Sequence, residues 1–163
     1  MNSITPFLWF NDEAESAIKY YTSVFKDSKV LHINRQGKKV FSASIRLNNQ
    51  EFHILNGGPV YKFTPAVSFF ISCKTQKEVD YYWSRLAKGG KVMKCGWVTD
   101  KFGLTWQVVP ELLGQYLGDS DPVKAGRVME AMLKMTKLEI APLKAAYEGN
   151  TRKKSPSKRR NKA

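Results

Sequence analysis

Cysteine and histidine are both scarce in this 163-residue chain, which holds two of each: Cys73 and Cys95, His32 and His53. Two isolated cysteines build neither a disulfide framework nor a Cys-X-X-Cys metal knuckle, so both read as thiols of a reducing compartment. Long apolar runs are missing as well. No stretch approaches the roughly eighteen residues that a membrane span requires, and the opening MNSITPFLWFNDEAES lacks the basic, apolar and small-residue order of a secretory signal. The expectation is a cytoplasmic protein with no membrane partner. Acidic residues are few, 14 against 27 Lys and Arg, for a formal charge of +13.

That excess is unevenly placed. Residues 151–163, TRKKSPSKRRNKA, contain seven Lys or Arg and no acid, and removing those seven leaves +6 on residues 1–150. The main body is mildly basic and carries no concentrated nucleic-acid stripe. Composition predicts that residues 150–163 form a disordered basic tail, capable of weak, non-specific contact with nucleic acid or another polyanion and otherwise solubilising. What the chain does have is a hydrophobic fraction of 42%, enough for one ordinary domain to build a core without staples.

Residues 4–10, ITPFLWF, read as a buried strand. NDEAESAIKYYTSVFKDS follows as a helix, with Asn11 or Asp12 as cap and Ala14, Ile18, Tyr21 and Phe25 at helical spacing. KVLHINRQG, KVFSASIRLNN and QEFHILNGG then form a three-stranded meander. The order restarts with a strand over residues 66–74 and a capped helix, TQKEVDYYWSRLAKGG, whose apolar side holds Val79, Tyr82, Trp83 and Leu86. KVMKCGWVT and LTWQVVP supply further strands, so strand, helix, strands occurs twice. Residues 111–149 are helical, with Asp121 as cap, Pro122 in the first turn and a stripe of Val128, Met129, Met132 and Leu133.

Tandem βαβββ modules of this kind resemble the vicinal oxygen chelate (glyoxalase/bleomycin resistance/dioxygenase) superfamily. LNGGP, SFFISCKTQKEVDYYWSRL, CGWVTDKFGLTWQVVP and DPVKAGRVMEAMLKMTKLEIAPLKAAYEG together resemble its PhnB-like branch, the 3-demethylubiquinone-9 3-methyltransferase domain. The resemblance implies an α+β fold over residues 4–149: module one at about 4–58, module two at about 66–110, and C-terminal helices at 111–149. It also implies a U-shaped cleft and a homodimer. In metal-using members the ligands come from the first and last strands of each module. Those positions fall on Thr5, on Glu51 or His53, on Ser68 or a neighbour, and on Gln107.

Hydroxyls and a glutamine carbonyl are poor ligands for a zinc-, nickel- or iron-like ion, and only His53 offers an imidazole. The expectation is therefore no tightly bound catalytic metal and no cofactor, with Thr5, Trp9, Glu51, His53, Ser68 and Gln107 as candidate ligand-binding residues. Glu51 and His53 share a strand face, and with Gln107 they form a set that binds a metal at best weakly. Gln107 shares a face with Thr105 and Val109. A buried amide needs a partner, which is either a ligand or a nearby group such as a backbone atom or His53.

Trp9 alternates with Thr5 and Phe7, as a pocket wall or as core or dimer interface. Trp97 and Trp106 read as packing residues, and His32 as a surface histidine. Cys95 has no identifiable activating base and reads as inert. Three functions compete: a small-molecule ligand bound without a tightly held metal, either for catalysis or for binding alone; methyl transfer to a quinone precursor, as the family label says; and polyanion contact through the tail. LNGGP lacks the strand-turn-helix setting of a nucleotide-binding glycine turn, which weighs against the second. The apolar surface of AGRVMEAMLKMTKLEIAPL exceeds what one helix face needs and suggests pairing with a second copy.

Overall fold

The apolar stretch at the start of the chain forms a strand only over its second half. In the computed structural model, which describes residues 4–150, β1 is Phe7–Phe10. Leu8 and Phe10 turn inward, while Ile4 is almost fully exposed. The helix that follows, α1 (Ala14–Val24), buries Ala14, Ala17, Ile18, Tyr21 and Val24, with Phe25 buried just beyond it. Its N-terminus corrects the expected cap. Neither Asn11 nor Asp12 supplies it; Asn56, at the far end of the sheet, accepts the Ala14 N–H at 2.9 Å and donates to the Val40 carbonyl at 2.8 Å. One amide thus ties the helix start to two strands and satisfies a donor that the helix leaves open.

The meander appears as β2 (Ser28–Gln36), β3 (Lys39–Leu47) and β4 (Gln50–Asn56), and β1 pairs parallel to β4, giving the order β1-β4-β3-β2. The second module repeats this arrangement. β5 (Phe69–Cys73) is followed by α2 (Gln76–Leu86), β6 (Lys91–Val92), β7 (Trp97–Thr99) and β8 (Thr105–Pro110), in the order β5-β8-β7-β6 with β5 parallel to β8. α2 starts with a reciprocal capping box between Thr75 and Glu78. KVMKCGWVT yields two short strands because Cys95 and Gly96 both take positive φ, 59° and 79°, and turn the chain between them. The architecture is α+β, two tandem βαβββ modules followed by α3 (Glu111–Leu117), α4 (Pro122–Lys134) and α5 (Ile140–Glu148).

One apolar cluster runs through both modules, joining Leu8, Ile45, Phe52 and Ile54 of the first to Ile71, Val98, Trp106 and Val108 of the second. At its centre lies a charged group, the Asp100 carboxylate, only 3% exposed. Its oxygens accept from Tyr21 Oη (2.9 Å), Trp106 Nε1 (2.8 Å) and the backbone N–H groups of Phe102 (2.9 Å) and Leu104 (3.1 Å). Burial pushes this carboxyl above the ordinary carboxylate range, while the four donors pull the other way. Tyr21 belongs to α1 and the other three donors to module two, so the cluster pins the modules together.

The helical extension forms a second core, in which Leu113, Val128, Leu138 and Leu143 pack with Val109 of β8. Asp121 caps α4 with Pro122 in its first turn, as the sequence predicts. Of the expected stripe Val128 is fully buried and Met132 packs, whereas Met129 and Leu133 remain 42% and 56% exposed. The extension hooks onto module two where Cys95 N–H and Gly96 N–H donate to the carbonyls of Met135 (2.9 Å) and Thr136 (2.8 Å). A Cβ at Gly96 would stand 2.7 Å from the Val108 carbonyl oxygen, so this close approach requires glycine. Among the described residues no helix is long and apolar enough to cross a membrane. The basic tail read from the sequence lies, from Thr151 onward, outside the described residues.

Candidate functional site

Strand alternation gives each sheet a face turned to the core and an opposite, open face. On the open face of the first sheet, Phe7 stands directly beside His53 across the parallel β1–β4 pair, and Ser44 stands on the other side of His53. Ser44 Oγ and His53 Nδ1 are hydrogen-bonded at 2.9 Å. The second sheet carries a matching row: Phe70 stands beside Gln107 across β5–β8, with Trp97 on the other side. Gln107 Nε2 donates to Ser68 Oγ at 2.8 Å. Phe7 and Phe70 are 59% and 61% exposed, large rings in solvent next to half-buried polar groups.

The residues anticipated from the sequence therefore fall into separate groups. Ser68 and Gln107 are brought together, and the partner of the Gln107 amide is a serine hydroxyl, neither backbone nor His53. Glu51 lies on the same face as His53, one row away and opposite Arg46. Thr5 precedes β1 and is half-buried. Trp9 is occupied elsewhere: its Nε1–H donates to the Gly58 carbonyl (2.8 Å), its ring meets Tyr61 edge-on at 5.1 Å, and a Cβ on Gly57 would stand 2.2 Å from it. The Gly57–Gly58 pair thus serves to seat the Trp9 indole. Trp9 lines a 450 Å³ pocket with Phe10, Tyr61, Phe63 and Phe102.

Trp106 packs in the core, as expected, and His32 is exposed. Cys95 is half-buried, with its Sγ 3.7 Å from the Met132 carbonyl. Cys73 is buried, and burial pushes its thiol up to about 12.

A metal-chelating set does not fit these positions. Three of the four strand positions carry neutral Thr5, Ser68 and Gln107, and one nitrogen of His53 is engaged by Ser44. Among the described residues no group of three or more His, Cys, Asp and Glu side chains is placed to hold a metal ion.

Sequence reasoning missed a groove of about 600 Å³ where the modules meet. It is walled by Phe25, Phe52, Phe69, Tyr82 and Trp106, with Asn48, Asn49 and Gln50 of the β3–β4 turn on one side and Ser68 and Ser72 of β5 on the other. The signal available in the sequence was the run Asn48-Asn49-Gln50, which reads as a turn and gives no hint that a neighbouring module faces it.

Comparison with known proteins agrees with this architecture. The 3-demethylubiquinone-9 3-methyltransferase family matches residues 2–109. A Bacillus cereus PhnB protein is 32% identical with a TM-score of 0.63, and the match covers 67% of this chain and 99% of that one. The Pseudomonas aeruginosa protein PA1353 is 19% identical with a TM-score of 0.58, over 68% of this chain and 98% of its own. No match is found among curated proteins. With two βαβββ modules on the vicinal oxygen chelate fold and a family match across both, the chain belongs to the 3-demethylubiquinone-9 3-methyltransferase family.

Proposed function

We propose that the protein binds a small, flat, uncharged organic ligand on the open faces of its sheets, recognising it by neutral hydrogen bonds and ring contacts without a tightly held metal. The observation that carries this reading is the repeated row: exposed Phe7 beside His53 and exposed Phe70 beside Gln107, each polar group steadied by a serine. Half-buried polar groups next to apolar surface are the usual furniture of a small-molecule site. The Gln107 carbonyl oxygen and one ring nitrogen of His53 are left to meet a ligand. Thr5 and Glu51 border these rows and complete the proposed lining, while Trp9, one row along β1, faces the separate pocket it shares with Tyr61 and Phe63.

A thermal-shift screen against quinones, small aromatic acids and phenols, S-adenosylmethionine and divalent metals tests the reading, because a ligand that binds only the folded state raises Tm. An uncharged aromatic compound should stabilise the wild type and lose that effect in Gln107→Leu. Stabilisation by S-adenosylmethionine alone would favour the methyl transfer in the family's name. Against that second reading, Gly57 and Gly58 are taken up by Trp9 and no helix follows them. The exposed rings Phe7 and Phe70, with Met129 and Leu133 on α4, support pairing with a second copy. A monomer at micromolar concentration in sedimentation would count against a homodimer.

A further inference from the structure

The groove between the β3–β4 turn and β5 has a counterpart related by the internal repeat. Matching the two parallel strand pairs places Phe7 on Phe70, Leu8 on Ile71 and His53 on Gln107, and so places β1 and the β7–β8 turn where β5 and the β3–β4 turn stand. The counterpart groove is not empty. The segment joining the modules crosses it, and Phe63 packs 5.2 Å from Phe10 with ring planes at 72°. What remains is divided between a 340 Å³ pocket lined by Pro6, Phe7, Leu8, Phe63 and Leu104 and the 450 Å³ pocket of Trp9, which Phe63 also lines. After β8 the chain turns into α3 and supplies no such crossing segment, which leaves the second groove open at about 600 Å³.

We propose that this open groove is a second ligand site, distinct from the open-face rows, and that it takes an uncharged aromatic ring bearing a hydroxyl or carbonyl group. The ring would sit as Phe63 sits in the counterpart, against the aromatic walls of Phe25, Phe52, Phe69, Tyr82 and Trp106. Edge and face contacts among such rings are favourable beyond their buried area. The lining includes no charged side chain, so a carboxylate or ammonium would lose its hydration without gaining a counter-ion. Asn48, Asn49, Gln50 and Ser72 are exposed at the rim and offer both donors and acceptors to a phenol or ketone. Ser68, which accepts from Gln107, and Phe70, which stands beside Gln107, both line the groove as well, so the two sites adjoin along these two residues.

The side-chain amides report the two sites separately in a nitrogen-labelled NMR titration of the full chain. With p-cresol as probe, the amide signals of Asn48, Asn49 and Gln50 should shift and saturate, and 4-methylbenzoate should bind at least tenfold more weakly. Asn49→Trp, which fills the groove from its exposed rim, should abolish those shifts, and Ser72→Phe should do the same from the opposite side. Movement of the Gln107 amide alone would overturn this proposal while leaving the open-face reading intact. Binding that persists unchanged in both filled variants would also overturn it. So would groove signals that ignore p-cresol but shift with protein concentration, since the occupant would then be a second copy of the chain.

Discussion

In the first module Phe7 stands beside His53, and in the second Phe70 stands beside Gln107, yet the surroundings of these matched rows diverge. Where Leu47 closes β3 as an apolar core residue, the matching Asp100 is a buried carboxylate with four donors. Phe10, buried at the end of β1, has buried Cys73 as its match at the end of β5. The groove beside β1 is crossed by Phe63, and the one beside β5 is open. A duplicated frame thus keeps its backbone rows and spends its differences at the seam between the copies. That seam is also where the core joins the modules and where the larger groove lies.

Four sites test how the two modules differ. The largest effect is chemical: with its thiol pushed up to about 12, Cys73 is protonated at pH 8. Its thiolate fraction there should be about a thousandfold below that of an ordinary cysteine. Iodoacetamide at pH 8 should leave Cys73 unmodified in the native protein and label it once urea unfolds the chain, as mass spectrometry of the peptides will show. Next is Asp100→Asn. The amide nitrogen cannot accept, so two of the four donors lose their partner, and denaturant unfolding should show a loss of about 3 kcal/mol or more. Asp100→Leu, which copies module one, should also destabilise, because it strands all four donors.

Gly57→Ala tests the seating of Trp9 and should cost about 1–3 kcal/mol through overpacking against the indole. A change in Trp9 fluorescence would accompany the loss. The smallest change belongs to Ser44→Ala, which removes the half-buried contact to His53 and should cost about 0.5–1.5 kcal/mol. If it instead abolishes aromatic ligand binding without moving Tm, His53 orientation matters more for recognition than for folding.

Local pattern was enough to read most of the frame. The spacing of Ala14, Ile18, Tyr21 and Phe25 identified the inward face of α1, and all four are buried. Period-two alternation placed Glu51 and His53 on one face. Groups whose partners lie far along the chain were not legible. Asn56 caps α1 from 42 residues away, and Ser68 meets Gln107 from 39. Asp100 reads as an ordinary turn aspartate, since Asp favours turns for reasons of its own; three of its donors are local to the turn and β8, and the fourth, Tyr21 of α1, lies 79 residues away. The strand limits contracted from residues 4–10 to Phe7–Phe10 because apolar character marks burial potential, while ladder pairing decides where a strand begins.

The hook at Cys95 and Gly96 has a consequence for the whole extension. It relies on main-chain donors of a hairpin that module two needs in any case, supplemented by Gln76 and by Asp80, whose carboxylate meets Lys137 at 2.6 Å. None of these polar anchors belongs to the rows of His53 or Gln107, but the apolar core of the extension takes in Val109, two residues from Gln107 on the same face of β8. Trimming the appendage away would therefore bare the Val109 flank of the Gln107 row and leave the His53 row of the other module as it was.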